Sequence, residues 1–106
     1  MALLDDYKKF LRGQGKSENT IKTYSGHVNE YYRWYMDTFG EAPTLLYHTN
    51  ILDFRSYLQN IKKLKFKSID TKLSSLTSFN EFLVQIGVQK DLVITAEDRL
   101  KFQQDI

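Results

Sequence analysis

Residues 17–40, with the sequence SENTIKTYSGHVNEYYRWYMDTFG, repeat apolar side chains at steps of three and four residues. That spacing places them on one face of a helix, from Ile21 through Val28 to Phe39. Ser17 can cap this helix, because its hydroxyl can accept from the free amide groups of the first turn. Gly40 can end it, because glycine adopts the left-handed backbone conformation readily. The stretch therefore predicts a long amphipathic helix.

Three further segments show the same helical spacing, and strand-like alternation is scarce. The predicted bounds are about 3–13 for a first helix, 49–61 for a third and 68–87 for a fourth. Gly13 or Gly15 would end the first helix, Thr49 and Ser68 would cap the other two, and Gly87 would end the last. The sequence therefore predicts an all-α fold with four helices.

Short connections imply that successive helices are neighbours in space. Residues 41–48, which contain the single proline, are expected to form a loop. Lysines in 62–67 suit the last turn of the third helix, at the negative end of its dipole, and a connection. We expect one helical domain over residues 1–88, followed at 89–106 by a short C-terminal appendage or linker.

The composition excludes several classes of protein. Hydrophobic residues make up 42% of the chain and charged residues 26%, as in globular domains. The absence of cysteine rules out disulfides, thiolate catalysis and cysteine zinc sites. Neither a membrane span of about 20 apolar residues nor a signal peptide is recognisable, so a cytoplasmic location is the default.

Catalytic constellations are equally hard to find. His27 and His48 are too few and too scattered for a metal site. No Gly-rich phosphate loop, Ser-His-Asp set or paired carboxylates stand at useful spacing. We therefore expect no cofactor, no metal and no small-molecule substrate, and this chain alone is not expected to be an enzyme.

The charge distribution hints at a polyanionic partner. The net charge is only +2, with an isoelectric point near 8.8. Residues 62–72, however, contain five lysines and a single acid, Asp70. A local excess of this kind attracts phosphate more than the net charge suggests.

A short pattern, Lys-Ser-x-x-Thr, occurs twice, at Lys16-Ser17 to Thr20 and at Lys67-Ser68 to Thr71. In one interpretation, two helical hairpins each present a helix N-terminus and a lysine to the same phosphate-bearing partner. In the other, good capping chemistry recurs by chance. Both stay open at this point.

Two helix faces do not look like core. The second helix carries Asn19, Lys22 and Thr23 away from its apolar face, and the fourth carries a run of short hydroxyls, Thr71, Ser74, Ser75 and Ser78. Ser and Thr lower helix propensity, so such a run suggests close approach of a nucleic-acid backbone or of another helix. The aromatic residues in 31–35 fit core or interface packing better than stacking on bases.

The ordered motifs of the chain resemble those of a known family. They are Leu4-x-x-Tyr7-x-x-Phe10-Leu11, Gly15-Lys16-Ser17-x-Asn19-Thr20-Ile21-x-x-Tyr24, Thr49-x-x-x-Asp53-Phe54-x-x-Tyr57-Leu58 and Lys67-Ser68-x-x-Thr71-x-x-Ser74-x-Leu76-x-x-Phe79-x-x-Phe82-Leu83. Over residues 3–88 this series resembles the N-terminal core-binding domain of the tyrosine recombinases, the phage-integrase family. The resemblance implies a SAM-like orthogonal bundle of four helices, built as two crossed helical hairpins.

The resemblance also implies a role. Such a domain holds duplex DNA opposite the catalytic domain, so the implied partners are double-stranded DNA, a catalytic domain of the same parent chain and other recombinase protomers on the DNA. Lysines and hydroxyls would contact the phosphate backbone, whereas Asn19 and Thr23 could reach base edges. The candidate DNA-binding residues are Lys16, Ser17, Asn19, Thr20, Lys22, Thr23, Lys67, Ser68, Thr71, Lys72 and Ser75.

The family's chemistry lies outside the matched motifs. It uses an Arg, a Lys, a His-x-x-Arg motif and a nucleophilic Tyr in a C-terminal domain, and neither His27 nor His48 has an Arg three residues later. The parent is expected to be a tyrosine recombinase of a phage or other mobile element, and this chain should not cleave DNA. The family's Asn-Pro after the fourth helix is replaced here by residues 90–94, KDLVI.

Two other functions compete with DNA clamping. Helical bundles of this size often bind other helices, so a protein-interaction module without DNA binding is the main alternative. A small helix-turn-helix regulator is the other, but the chain lacks the tight turn between two short helices that such a motif needs.

Overall fold

The computed structural model describes residues 2–100, and its secondary structure there is helical. The four α-helices are α1 (Ala2–Gly13), α2 (Glu18–Phe39), α3 (His48–Asn60) and α4 (Phe66–Gln85), followed by a 3-10 turn at Ala96–Asp98. No strand occurs in this part of the chain, so the predicted all-α class is confirmed. No helix in it is long and apolar enough to cross a membrane.

The helices pair in two compact units that divide after Pro43. In unit 1, α1 packs against α2. Gly15, in the left-handed conformation at φ 80°, reverses the chain between them. Its N–H donates to the Arg12 carbonyl at 2.9 Å and that of Lys16 to the Leu11 carbonyl at 3.1 Å, the bond pair of a Schellman cap. This turn delivers the chain directly to the start of α2.

Both predicted ends of α2 are confirmed. Ser17 is the N-cap, and its Oγ accepts from the Thr20 N–H at 3.2 Å. Gly40 ends the helix at φ 78°, with its N–H donating to the Met36 carbonyl at 2.8 Å. Along α2 the helical spacing buries Ile21, Val28 and Tyr31, as the periodicity predicts.

In unit 2, α3 packs against α4. The predicted N-caps of these two helices are wrong. The N-cap of α3 is Tyr47 rather than Thr49, and that of α4 is Lys65 rather than Ser68. Lys63 explains the second error. Lys63 has a left-handed φ of 57°, and the Leu64 N–H donates to the Leu58 carbonyl at 3.1 Å. The chain reversal between α3 and α4 is therefore complete by Leu64. The N-cap of α4 therefore lies three residues before Ser68, and the helix begins at Phe66.

The end of α4 is as predicted, with Gly87 in the left-handed conformation at φ 77°. The chain after it stays on unit 2. Gln89 is buried and forms two hydrogen bonds with the backbone of Leu46, at 3.1 and 2.7 Å. Ile94 and Leu100 are buried as well. Residues 89–100 of the predicted appendage thus form part of unit 2, and residues 101–106 lie outside the described residues.

Buried Asn80 on α4 holds the middle of this segment. Its amide nitrogen donates to the Asp91 carbonyl at 3.2 Å, and its amide oxygen accepts from the Val93 N–H at 2.7 Å. A primary amide in this arrangement completes the backbone hydrogen bonds of a segment that has no strand or helix partner. Asn80 therefore anchors the chain that follows α4.

Candidate nucleic-acid interface

The first candidate surface is the start of α2 in unit 1. Five of its predicted residues are exposed and Thr20 is half-buried; the exposed ones are Lys16, Ser17, Asn19, Lys22 and Thr23. The Ser17 hydroxyl accepts from the Thr20 N–H and donates to Thr20 Oγ1 at 3.0 Å. Because both of these bonds serve the cap, Lys16, Lys22 and Asn19 are better placed to contact a ligand than Ser17.

An ion pair borders this surface. Arg12 Nε donates to Glu18 Oε1 at 3.0 Å, on the solvent side of unit 1. The hydrogen bond and the charge of Arg12 lower the pKa of Glu18, and Glu18 in turn raises the pKa of Arg12. The pairing offsets the one carboxylate that would repel a phosphate at the start of α2. Arg12 could not be predicted as part of this surface, since nothing in the spacing ties residue 12 to residue 18.

The second candidate surface is the first half of α4 in unit 2. Lys67, Ser68 and Thr71 are exposed and Lys72 is half-buried. Ser75 has no exposed surface, so its predicted contact with DNA is wrong for this packing. It shares the i, i+4, i+7 face of Phe79 and Phe82, and its hydroxyl donates to the Thr71 carbonyl at 3.3 Å.

The hydroxyls of Thr71 and Ser74 are used inside α4. Thr71 Oγ1 donates to the Lys67 carbonyl at 2.9 Å, and Ser74 Oγ donates to the Asp70 carbonyl at 3.0 Å. A hydroxyl has one proton to donate, so neither group can donate to a phosphate without leaving its helical bond. Recognition of an anion on this face therefore rests on the cations and on Ser68, whose side chain is exposed.

The repeated Lys-Ser-x-x-Thr pattern does not occupy equivalent positions. Ser17 precedes α2 as its N-cap, whereas Ser68 is the third residue of α4. Lys16 lies outside its helix and Lys67 lies in the first turn of its own. The interpretation of two matching capped N-termini is therefore wrong, although both lysines are exposed.

The connection between α3 and α4 carries the densest positive charge. Its side chains Lys62, Lys63 and Lys65 are exposed, like neighbouring Lys67. No ion pair joins any of these four to another residue within 2–100. The lysine run is visible in the sequence. Its predicted place at the C-terminal end of the third helix did not indicate that these side chains form one exposed surface. We call residues 62, 63, 65 and 67 the lysine turn.

Next to the lysine turn, unit 2 has an open surface pocket of about 390 Å³. Its lining residues are Phe66, Lys67, Asp70, Thr71, Ser74 and Arg99. Arg99 could not be predicted from the sequence, because only the return of residues 89–100 onto α4 brings it to this face.

The aromatic residues near the end of α2 pack mainly on one another. The ring centroids of Tyr35 and Phe39 are 4.6 Å apart, and those of Tyr31 and Trp34 are 5.7 Å apart. Burial raises the pKa of Tyr32 to about 12. That direction is opposite to the one that activates a phenol as a nucleophile, so the arrangement fits packing rather than chemistry.

Comparison with known proteins gives the family. The sequence profile of the phage integrase N-terminal SAM-like domain matches residues 3–89. A TnP I resolvase of Bacillus thuringiensis is 41% identical over 103 residues, which cover 97% of this chain and 36% of the resolvase. This chain thus spans about a third of that relative's length. No solved structure matches significantly. Because the profile covers most of the chain, this protein belongs to the family of phage-integrase N-terminal SAM-like domains.

Proposed function

We propose that this chain binds double-stranded DNA as the clamp domain of a site-specific tyrosine recombinase. The observation that carries the proposal is the set of exposed lysines that form no ion pair within residues 2–100, in a chain of an integrase domain family. They lie at the start of α2 (Lys16 and Lys22) and in the lysine turn. Exposed cations without protein partners are free to replace the counterions of a phosphate backbone.

Phosphate contacts of this kind would position the domain, and base contacts would add sequence preference. Asn19 and Thr23 are exposed on the first turns of α2, where an amide or a hydroxyl could reach a base edge. Strand cleavage would belong to a catalytic domain elsewhere in a longer protein. In this proposal that domain, other recombinase protomers and duplex DNA in the cytoplasm are the partners.

Charge reversal tests the proposal. Lys16→Glu and Lys67→Glu should each weaken binding to duplexes of unrelated sequence alike, because a phosphate contact carries no sequence information. Each should also lower the slope of log affinity against log salt by about 0.9. Fluorescence anisotropy with labelled duplexes at several salt concentrations measures both quantities.

Lys90→Glu is the matched control. Lys90 is exposed on unit 2 but lies outside the lysine turn and the pocket. Its reversal changes the net charge equally and should change affinity much less. Equal effects of all three reversals would mean that net charge, and not these two surfaces, governs binding.

Exposed apolar side chains favour the second candidate, a protein-interaction module. Ile86, Val88 and Leu92 follow one another past the end of α4, and each is at least 44% exposed. Such residues are common where a domain meets another protein surface. If the wild-type chain binds no duplex at low salt but self-associates in sedimentation experiments, this alternative replaces the clamp.

A further inference from the structure

The pocket beside the lysine turn brings together two cations from distant parts of the sequence. Lys67 comes from the first turn of α4, and Arg99 follows the 3-10 turn at Ala96–Asp98. Arg99 is half-buried, and its guanidinium forms no ion pair within residues 2–100. Two cations at one pocket without an ion pair favour a bound anion, because one anion would satisfy both charges.

Both neighbours of Arg99 are fastened to unit 2. The Leu100 N–H donates to the Asp70 carboxylate at 2.7 Å. On the other side, Asp98 contacts His48 Nε2 at 2.7 Å, and its carbonyl accepts from Arg55 at 2.7 Å. Because the residues on each side are held by these hydrogen bonds, the backbone of Arg99 has a defined position beside the pocket.

The chemistry of the lining indicates what kind of anion fits. Two cations face one carboxylate, Asp70, whose charge is partly satisfied by the Leu100 amide. Thr71 and Ser74 donate to carbonyls of α4, so they offer acceptors rather than donors. A singly charged phosphate diester suits a lysine and an arginine, because a guanidinium can donate two parallel bonds to its oxygens. An open pocket also lets a polymer backbone pass across it.

We propose that Lys67 and Arg99 bind one DNA backbone phosphate between them, and that Asp70 is a positioning residue that holds Arg99 in place through the Leu100 amide. The inference rests on the proposed function and deepens it, since it adds a residue after α4 to the DNA contacts. It also makes the docking of residues 89–100 part of DNA binding.

A double-mutant cycle tests the shared phosphate. Arg99→Ala and Lys67→Ala should each weaken duplex binding several-fold, and the double variant should lose less than the product of the two single losses. The salt slope should fall by about 0.9 only in the double variant, which leaves that phosphate without a cation. Lys90→Ala is the control for loss of one positive charge on unit 2. Independent losses that multiply would show that the two side chains do not share a phosphate.

Asp70 variants test the positioning role. Asp70→Asn keeps an oxygen acceptor for the Leu100 amide and should retain or raise affinity, since it removes a negative charge. Asp70→Ala removes the acceptor and should weaken binding in the wild-type background but not in the Arg99→Ala background. An equal loss in both backgrounds would contradict positioning through Arg99. If Asp70→Ala does not fold, Asp70→Asn decides the point: retained or raised affinity agrees with positioning through an oxygen acceptor, and a loss of affinity contradicts it.

Different results would overturn the DNA-clamp proposal and the proposal of a phosphate shared by Lys67 and Arg99. If Arg99→Ala behaves like Lys90→Ala while Lys16→Glu still weakens binding, this inference is overturned and the clamp stands. If the wild-type chain binds no duplex at low salt, both are overturned.

Discussion

Lys63 adopts a backbone conformation that suits glycine better. Its φ of 57° is the only positive φ of a non-glycine residue within residues 2–100. For a residue with a Cβ atom this region costs about 1–2 kcal/mol. Lys63 lies in the lysine turn, where its side chain is exposed and forms no ion pair in the described chain. Strain at a position that presents a cation agrees with a binding role.

Lys63→Gly should therefore raise the free energy of unfolding by about 0.5–1 kcal/mol, because glycine removes the strain. It should also weaken duplex binding, since a cation is lost. Lys62→Gly removes the same charge at a residue without positive φ and should bring no gain in stability. Urea denaturation of the two variants measures the difference, and equal stabilities would contradict the account of the turn.

Two serines in the same sequence pattern should differ in their effect on stability. Ser17 caps α2 through a bond to the Thr20 N–H, whereas Ser68 lies inside α4. Ser17→Ala should cost about 1 kcal/mol. Ser68→Ala should change stability little, because alanine favours the helix interior. Thermal denaturation of the pair checks this, and a larger loss for Ser68→Ala would contradict the observed start of α4.

At the scale of elements, the segment after α4 depends on amide side chains rather than on a strand or a helix. Gln89 bonds to Leu46, 43 residues away, and Asn80 bonds to Val93, 13 residues away. The sequence gives no local sign of such bonds, because an amide in an amphipathic helix looks like a surface residue. The packing of residues 89–100, and with it the place of Arg99, could not be predicted for this reason.

Asn80→Ala should lower the free energy of unfolding by about 1–3 kcal/mol, because it leaves the part-buried Val93 N–H and Asp91 carbonyl without their side-chain partner. Amide exchange at Val93 should quicken, since its N–H loses its acceptor. Asn29→Ala is the control, because Asn29 also lies on a helix, α2, but is only half-buried. Equal losses in the two variants, measured by denaturation and hydrogen exchange, would show that Asn80 does not anchor the segment.

A helix could be predicted from the sequence where its apolar spacing and its end signals lie within the helix itself. The apolar spacing of α2, the Ser17 cap and the Gly40 end all lie within the element that they define. The predicted starts of α3 and α4 were wrong because the position of an N-cap depends on where the preceding chain completes its turn. At α4 this turn is set by the left-handed conformation of Lys63. The predicted DNA contact of Ser75 was wrong because four hydroxyls on one face of a helix do not indicate which of them packs against the core.

For the whole molecule, family membership and surface charge support the same function. The lysines at the start of α2 and in the lysine turn were visible in the sequence as charges. Their exposure and lack of ion pairs within residues 2–100 became visible only in the structure. The central claim is that these lysines meet a DNA backbone.

An NMR titration of the isotope-labelled chain with a generic duplex, at low and at moderate salt, tests that claim most directly. The account predicts that amide shifts cluster at residues 16–23, at residues 62–72 and at Arg99, and that they fade as salt rises. Shifts that are absent at low salt, or that centre on the exposed apolar residues Ile86 to Leu92, would contradict it.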